Sequence, residues 1–127
     1  MIVLDASVII GLLDIDDAHA RASADVLRDN MHDRLVAHRL TIAEALVHPA
    51  ATGRGPRAAA HLEALGVEPV DDLDDPLALA SLRADAGVRM PDCCVLSTAM
   101  RRKAALATFD GRLADAARGL GVAVLGA

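Results

Sequence analysis

Short apolar runs alternate along this chain with longer stretches in which apolar positions return every three or four residues. Ile2-Val3-Leu4 is apolar without alternation, the pattern of a strand covered on both faces, as in a parallel sheet. Asp5 ends it. Ser7 follows, and the apolar segment through Leu13 has helical length and a helical start signal. Asp14-Ile15-Asp16-Asp17 is a polar break. From Ala18 to about Asn30, apolar residues at Ala18, Ala22, Val26 and Leu27 predict a second helix. Leu35-Val36-Ala37 reads as a second strand. A third helix is expected from near Thr41 past Val47, with Pro49 kinking or ending it. The loop Thr52–Pro56 leads into a fourth helix through Leu65, with Pro56 in its first turn. Val67–Val70 is a third strand, and Pro69 places it at a sheet edge. An acidic loop, Asp71–Pro76, precedes a helix over Leu77–Ala86. Pro91 to about Lys103 is a further helix, Ala105–Thr108 a fourth strand, Gly111–Leu120 the last helix and Val122–Leu125 the last strand. Strands alternating with helices predict an α/β fold, a parallel sheet with helices on both faces. No repeat or linker interrupts residues 1–127, so one domain is expected.

Four acids stand where strands end or helices begin: Asp5, Glu44, Asp92 and Asp110. Each has a local explanation. Asp5 or Ser7 can cap the helix that follows. Glu44 completes a Thr-x-x-Glu capping box with Thr41. Asp92 follows Pro91 in a helix's first turn, where the helix dipole favours an anion, and Asp110 can be an N-cap. Their joint position adds a second meaning. In a parallel α/β sheet, strand carboxyl ends and the amino ends of the following helices share one edge, where such sheets place their sites. Carboxylates gathered there repel one another, and oxygen ligands select hard ions such as Mg²⁺ or Mn²⁺. Mg²⁺ keeps several waters, one of which can attack a phosphodiester. Ser7 and Thr108, two residues from Asp5 and Asp110, can orient the carboxylates.

Composition narrows the partners. Hydrophobic residues make up 54% of the 127, which argues against disorder. Phe109 is the only aromatic apart from histidines, so the chain lacks the base-stacking platform of many single-strand binders. The net charge of −5 speaks against a whole-surface grip on nucleic acid. Local patches remain in Arg101-Arg102-Lys103 and in Arg89, Arg112 and Arg118. Adjacent Cys93 and Cys94 cannot bridge without strain and form no zinc pattern; they read as reduced core residues. The five histidines show no zinc spacing, although His48 lies one helical turn after Glu44. With no signal peptide and no long apolar run, a cytoplasmic protein with no membrane contact is expected.

The motifs Val3-Leu4-Asp5-Ala6-Ser7, Leu40-Thr41-Ile42-Ala43-Glu44, Met90-Pro91-Asp92-Cys93-Cys94-Val95-Leu96-Ser97-Thr98-Ala99 and Thr108-Phe109-Asp110-Gly111-Arg112-Leu113 together resemble a PIN-domain nuclease. Length and coverage are similar to a VapC-type toxin of a toxin–antitoxin pair. The resemblance implies a three-layer α/β/α fold with about five parallel strands. It implies a Mg²⁺- or Mn²⁺-dependent endoribonuclease, with RNA as substrate, an antitoxin partner and a homodimer. It makes Asp5, Glu44, Asp92 and Asp110 the catalytic, metal-binding acids, with Ser7 and Thr108 as polar supports. Many relatives carry another acid two residues after the fourth. Arg112 stands there in this chain, which weakens the case for a second metal and suggests a contact with RNA phosphate.

Rival readings fit less well. A phosphatase of the haloacid-dehalogenase type needs an acid two residues after the first, where Ser7 stands. A receiver-like module needs a lysine after a late strand, whereas Lys103, the only lysine, precedes its strand. A non-catalytic RNA- or partner-binding module is separated from the enzyme by testing RNA cleavage with and without EDTA.

Overall fold

The computed structural model describes residues 1–127. Five strands and seven helices alternate as β1 (Ile2–Leu4), α1 (Ala6–Leu13), α2 (Ala20–Asp29), β2 (Leu35–His38), α3 (Arg39–Ala51), α4 (Gly55–Ala64), β3 (Val67–Val70), α5 (Pro76–Ala86), α6 (Met90–Arg102), β4 (Ala105–Ala107), α7 (Gly111–Gly119) and β5 (Val124–Leu125). The strands form one sheet in the order β3-β2-β1-β4-β5. Every pairing is parallel, with Leu4 opposite Ala107 and Val3 opposite Val36. This is the α/β architecture expected, with Pro69 in the edge strand β3.

Strand alternation divides the core in two. Val3, Val36, Val70 and Leu106 point to one face and pack with Cys93, Leu96 and Ala99 of α6 and Leu113 and Ala117 of α7. Ile2, Leu4, Leu35, Ala37 and Val67 point to the other and pack with Val8 and Ile9 of α1, Val26 of α2, Ala45 of α3 and Leu62 of α4. The strands therefore read as unbroken apolar runs because both faces are covered. Cys93 and Cys94 are free and buried. At Gly11 an added Cβ would lie 2.2 Å from Ser23 Oγ, so the glycine lets α1 and α2 meet closely.

Three local expectations are corrected. Helix α3 starts at Arg39, two residues before Thr41, because His38 is its N-cap: the imidazole Nδ1 accepts from Leu40 N–H at 3.1 Å. Thr41 lies inside the helix and buried, so it forms no capping box with Glu44. Pro49 does not end α3, which continues to Ala51. The basic end of α6 is not free for ligand either. Arg102 holds Asp72 in a two-point contact at 2.7 and 2.8 Å, and Arg101 meets Asp74 at 3.0 Å. The Arg102 guanidinium keeps the Asp72 carboxyl below the usual carboxylate range. Ser97 and Thr98 extend the same stitching, taking Asp74 N–H at 3.0 Å and donating to the Asp72 carbonyl at 3.2 Å. The acidic loop is thus a clasp on α6.

Candidate active site

Chain order along the sheet reverses between β1 and β4: β2 and β3 lie on one side of that line and β5 on the other. At such a switch point the loops leaving the carboxyl ends diverge and open a crevice. The loop after β1 carries Asp5 and Ser7, and the loop after β4 carries Thr108 and Asp110.

Asp5 is 6% exposed. It sits at the N-cap position of α1, yet its carboxylate makes no capping bond. The capping account therefore fails for Asp5. Its Oδ2 instead accepts two hydroxyls, Ser7 Oγ and Thr108 Oγ1, each at 2.8 Å. Those hydroxyls accept in turn from the next loop: Ser7 Oγ from Phe109 N–H and Thr108 Oγ1 from Asp110 N–H, both at 3.0 Å. Two short side chains thereby fix the carboxylate and tie together loops 103 residues apart in sequence. Oδ1 of Asp5 takes no partner from the chain.

Asp110 does cap α7, accepting from Arg112 N–H at 2.9 Å and Leu113 N–H at 3.3 Å through Oδ1. Asp92 lies in the first turn of α6 and is half-buried. Burial pushes its carboxyl above the usual range, and the negative charges of Asp5 and Asp110 push it further. Arg89 opposes them. Asp92 therefore senses both other aspartates, and the three share one electrostatic locus.

Glu44 is exposed on α3 and lines a groove with Asp14, His48, Arg54, Arg57 and His61. Arg112 is exposed, and its guanidinium donates to the Gly87 carbonyl at 3.3 Å. His38, buried at the end of β2, has an Nε2 with no hydrogen-bond partner; its only sequence signal is its place after an apolar run.

The donor set can be tested against a cation. No group of three or more acidic, histidine or cysteine side chains is close enough to enclose a metal. That excludes a closed structural cage. Mg²⁺ needs less: one or two carboxylates, several waters and the phosphate of a substrate. Asp5, held by two hydroxyls with one free oxygen, and Asp92, raised by its neighbours, are the residues that would offer such an ion oxygen ligands.

The sequence matches the PIN domain family model over residues 2–119, and the chain belongs to that family. No curated protein matches it. Solved structures share the fold. A toxin–antitoxin complex from Klebsiella pneumoniae superposes with a TM-score of 0.71 at 18% identity, covering 87% of each chain. FitAcB from Neisseria gonorrhoeae gives 0.70 at 23% identity over 98% of this chain and 96% of that one. A sarcin–ricin-loop-cleaving VapC toxin from Mycobacterium tuberculosis gives 0.67 at 14% identity over 91% and 95%.

Replacing Thr108 by Val tests the hydroxyl bridge. The isosteric change keeps packing but removes the donor to Asp5 and the acceptor for Asp110 N–H. Outer-shell partners of this kind are worth about 10- to 100-fold in metal affinity or activity. Thr108→Val should lose activity in that range and retain a native circular dichroism spectrum. Wild-type turnover would show that the bridge does not orient Asp5.

Proposed function

We propose that this chain is a divalent-metal-dependent endoribonuclease acting as the toxin of a toxin–antitoxin pair. The observation that carries it is the shared locus of Asp5, Asp92 and Asp110 at the switch point of a PIN-family sheet. The chain is similar in fold to structures described as toxin–antitoxin complexes and as an RNA-cleaving toxin. Asp5 and Asp92 would hold Mg²⁺ or Mn²⁺, with Asp110 beside them and Glu44 reaching in from the adjacent groove. When bound, the ion supplies charge for the scissile phosphate and activates water for in-line attack. The chain's own part is geometric. Ser7 and Thr108 fix Asp5 through one carboxylate oxygen and leave the other free, where it would be available to the ion. Arg89 and Arg112 offer positive charge at the rim, where an RNA phosphate would lie. Incubating labelled RNA with Mn²⁺, and in parallel with EDTA, tests the reading. Cleavage only with the ion supports it; cleavage in EDTA, or none in either, defeats it.

A homodimer belongs to the same proposal. Leu40, Val47, Leu77 and Met90 are 44–77% exposed, an apolar surplus that a second copy can cover. Light scattering at tens of micromolar, a range suited to moderate affinity, should read about twice the 13.2 kDa chain mass. A monomer mass there would remove the dimer from the proposal. No helix is long and apolar enough to cross a membrane.

A further inference from the structure

Phe109 is the only Phe, Trp or Tyr in 127 residues. The chain places this one phenyl ring in the short link between Thr108 and Asp110. The ring is half-buried and packs against the core layer of α1 to α4. The His19 imidazole lies on its face, with centroids 4.7 Å apart and planes 15° apart, the offset-stacked arrangement that aromatic rings favour. At the ring's edge stands Gly126, at φ +95°, where an added Cβ would lie 2.9 Å from Phe109 Cε1. The ring is thus held on a face and at an edge.

His19 belongs to the turn between α1 and α2 and is itself anchored. Its N–H donates to Asp17 Oδ2 at 2.9 Å, and its carbonyl accepts from Ser23 N–H at 2.8 Å. The imidazole is exposed, and what the fold uses of it is its face.

The backbone of Phe109 leads from the stack to the acids. Its N–H donates to Ser7 Oγ at 3.0 Å, and Ser7 Oγ donates to Asp5 Oδ2 at 2.8 Å. Thr108, before it, gives Asp5 the second hydroxyl, and that hydroxyl accepts from Asp110 N–H, after it. Both supports of Asp5 are therefore seated against residues 108–110. Strand pairing fixes this stretch at Thr108, whose N–H meets the Leu125 carbonyl at 3.0 Å, and α7 begins only at Gly111. Phe109 lies between those two anchors, and its side chain is the one that His19 holds.

We propose that His19 is a positioning residue of the acid locus. Its imidazole, stacked on Phe109, holds the peptide N–H that fixes Ser7 and, through Ser7, the Asp5 carboxylate. The effect on catalysis rests on the endoribonuclease reading; the effect on the loop does not.

Amide hydrogen exchange followed by NMR in EDTA reads the loop without metal or RNA. In His19→Ala, exchange at Phe109 N–H should quicken by about 2- to 10-fold, the span that one stacked aromatic pair gives. The amides of β1 and β4 should keep wild-type protection, because the opening is local. His19→Phe keeps a flat ring and should return Phe109 to wild-type exchange; His19→Leu, apolar but not flat, should not. Titration with Mn²⁺ alone should show His19→Ala binding the ion more weakly, and His19→Phe as wild type. With RNA and Mn²⁺, His19→Ala should lose kcat by about the same 2- to 10-fold at an unchanged KM, and His19→Phe should regain it. Unchanged exchange at Phe109 in His19→Ala would overturn the proposal. So would a uniform rise across β1 and β4, which would make the stack general support for the fold. A raised KM with kcat intact would overturn it too, by making the imidazole a contact for RNA. If the wild type cuts no RNA with any divalent ion, the nuclease reading fails by itself, and exchange and Mn²⁺ affinity still decide the role of His19.

Discussion

Asp5→Asn is expected to lower RNA cleavage by at least about 1,000-fold while leaving the fold intact. The size follows from what the residue does. The Asp5 carboxylate has no capping task, and its orientation is fixed by two hydroxyls at 2.8 Å. An Asn carbonyl can still accept from Ser7 and Thr108, so the hydroxyl bridge and the packing survive. What disappears is one unit of negative charge and the free oxygen. Removing a group that stabilises charge in the transition state costs about 10²- to 10³-fold in well-studied sites; loss of a metal ligand adds to that. Cleavage of labelled RNA in Mn²⁺, with circular dichroism as the control for folding, reads the effect. A folded Asp5→Asn protein that cuts at the wild-type rate would place the chemistry elsewhere.

Asp92→Asn is expected to raise the melting temperature at pH 7 in EDTA by about 2–6 °C, the shift that a kcal/mol-scale term gives a domain of this size. Two partly solvated like charges about 4 Å apart repel by roughly 1–4 kcal/mol. The sign follows from proton linkage. The Asp92 carboxyl has a raised pKa in the folded chain. As pH rises past the ordinary value of 3.8, the unfolded chain loses this proton first, and stability falls until the folded carboxyl has ionised as well. The full penalty is then present at pH 7. Asn cannot ionise and escapes it. The gain should therefore vanish below about pH 3.8, where both states are protonated. Millimolar Mn²⁺ should reverse the order, raising the wild type more than the variant, because only the wild type keeps the full ligand set. Circular dichroism must follow the melts, since the chain has no Trp. A variant that melts lower in EDTA and responds to Mn²⁺ like wild type would make Asp92 a structural element of the first turn.

Element type was legible because the two hydrophobic periods are well separated here. Ile2–Leu4 and Leu35–Ala37 have no polar position to confuse with a helical stripe, since both their faces are covered. The convergence of Asp5, Asp92 and Asp110 was legible from parallel topology alone. What the sequence did not show was decided by side-chain competition. A buried imidazole at His38 took the cap that Thr41 was expected to supply. Helix α3 continues through Pro49 for two more residues, to Ala51, so the break that proline signals in a sequence falls later than the residue itself. Arg101 and Arg102 looked like a basic patch, yet their partners Asp74 and Asp72 lie 27 and 30 residues away. Pairings of that range leave no periodic trace.

The bond from Thr108 to Asp5 spans 103 residues, and β1 pairs directly with β4. During synthesis the amino-terminal half can form β1, β2 and the helices between them, but it cannot form the carboxyl-edge locus. Until β4 is made, Asp5 has lost one hydroxyl donor, and Ser7 lacks the Phe109 N–H that its oxygen accepts. Contacts so distant in sequence also form slowly. A growing chain would therefore carry no assembled carboxyl-edge locus until β4 had been made. For the ribonuclease proposed above, activity would be withheld from the ribosome that makes it until β4 has been added to the sheet.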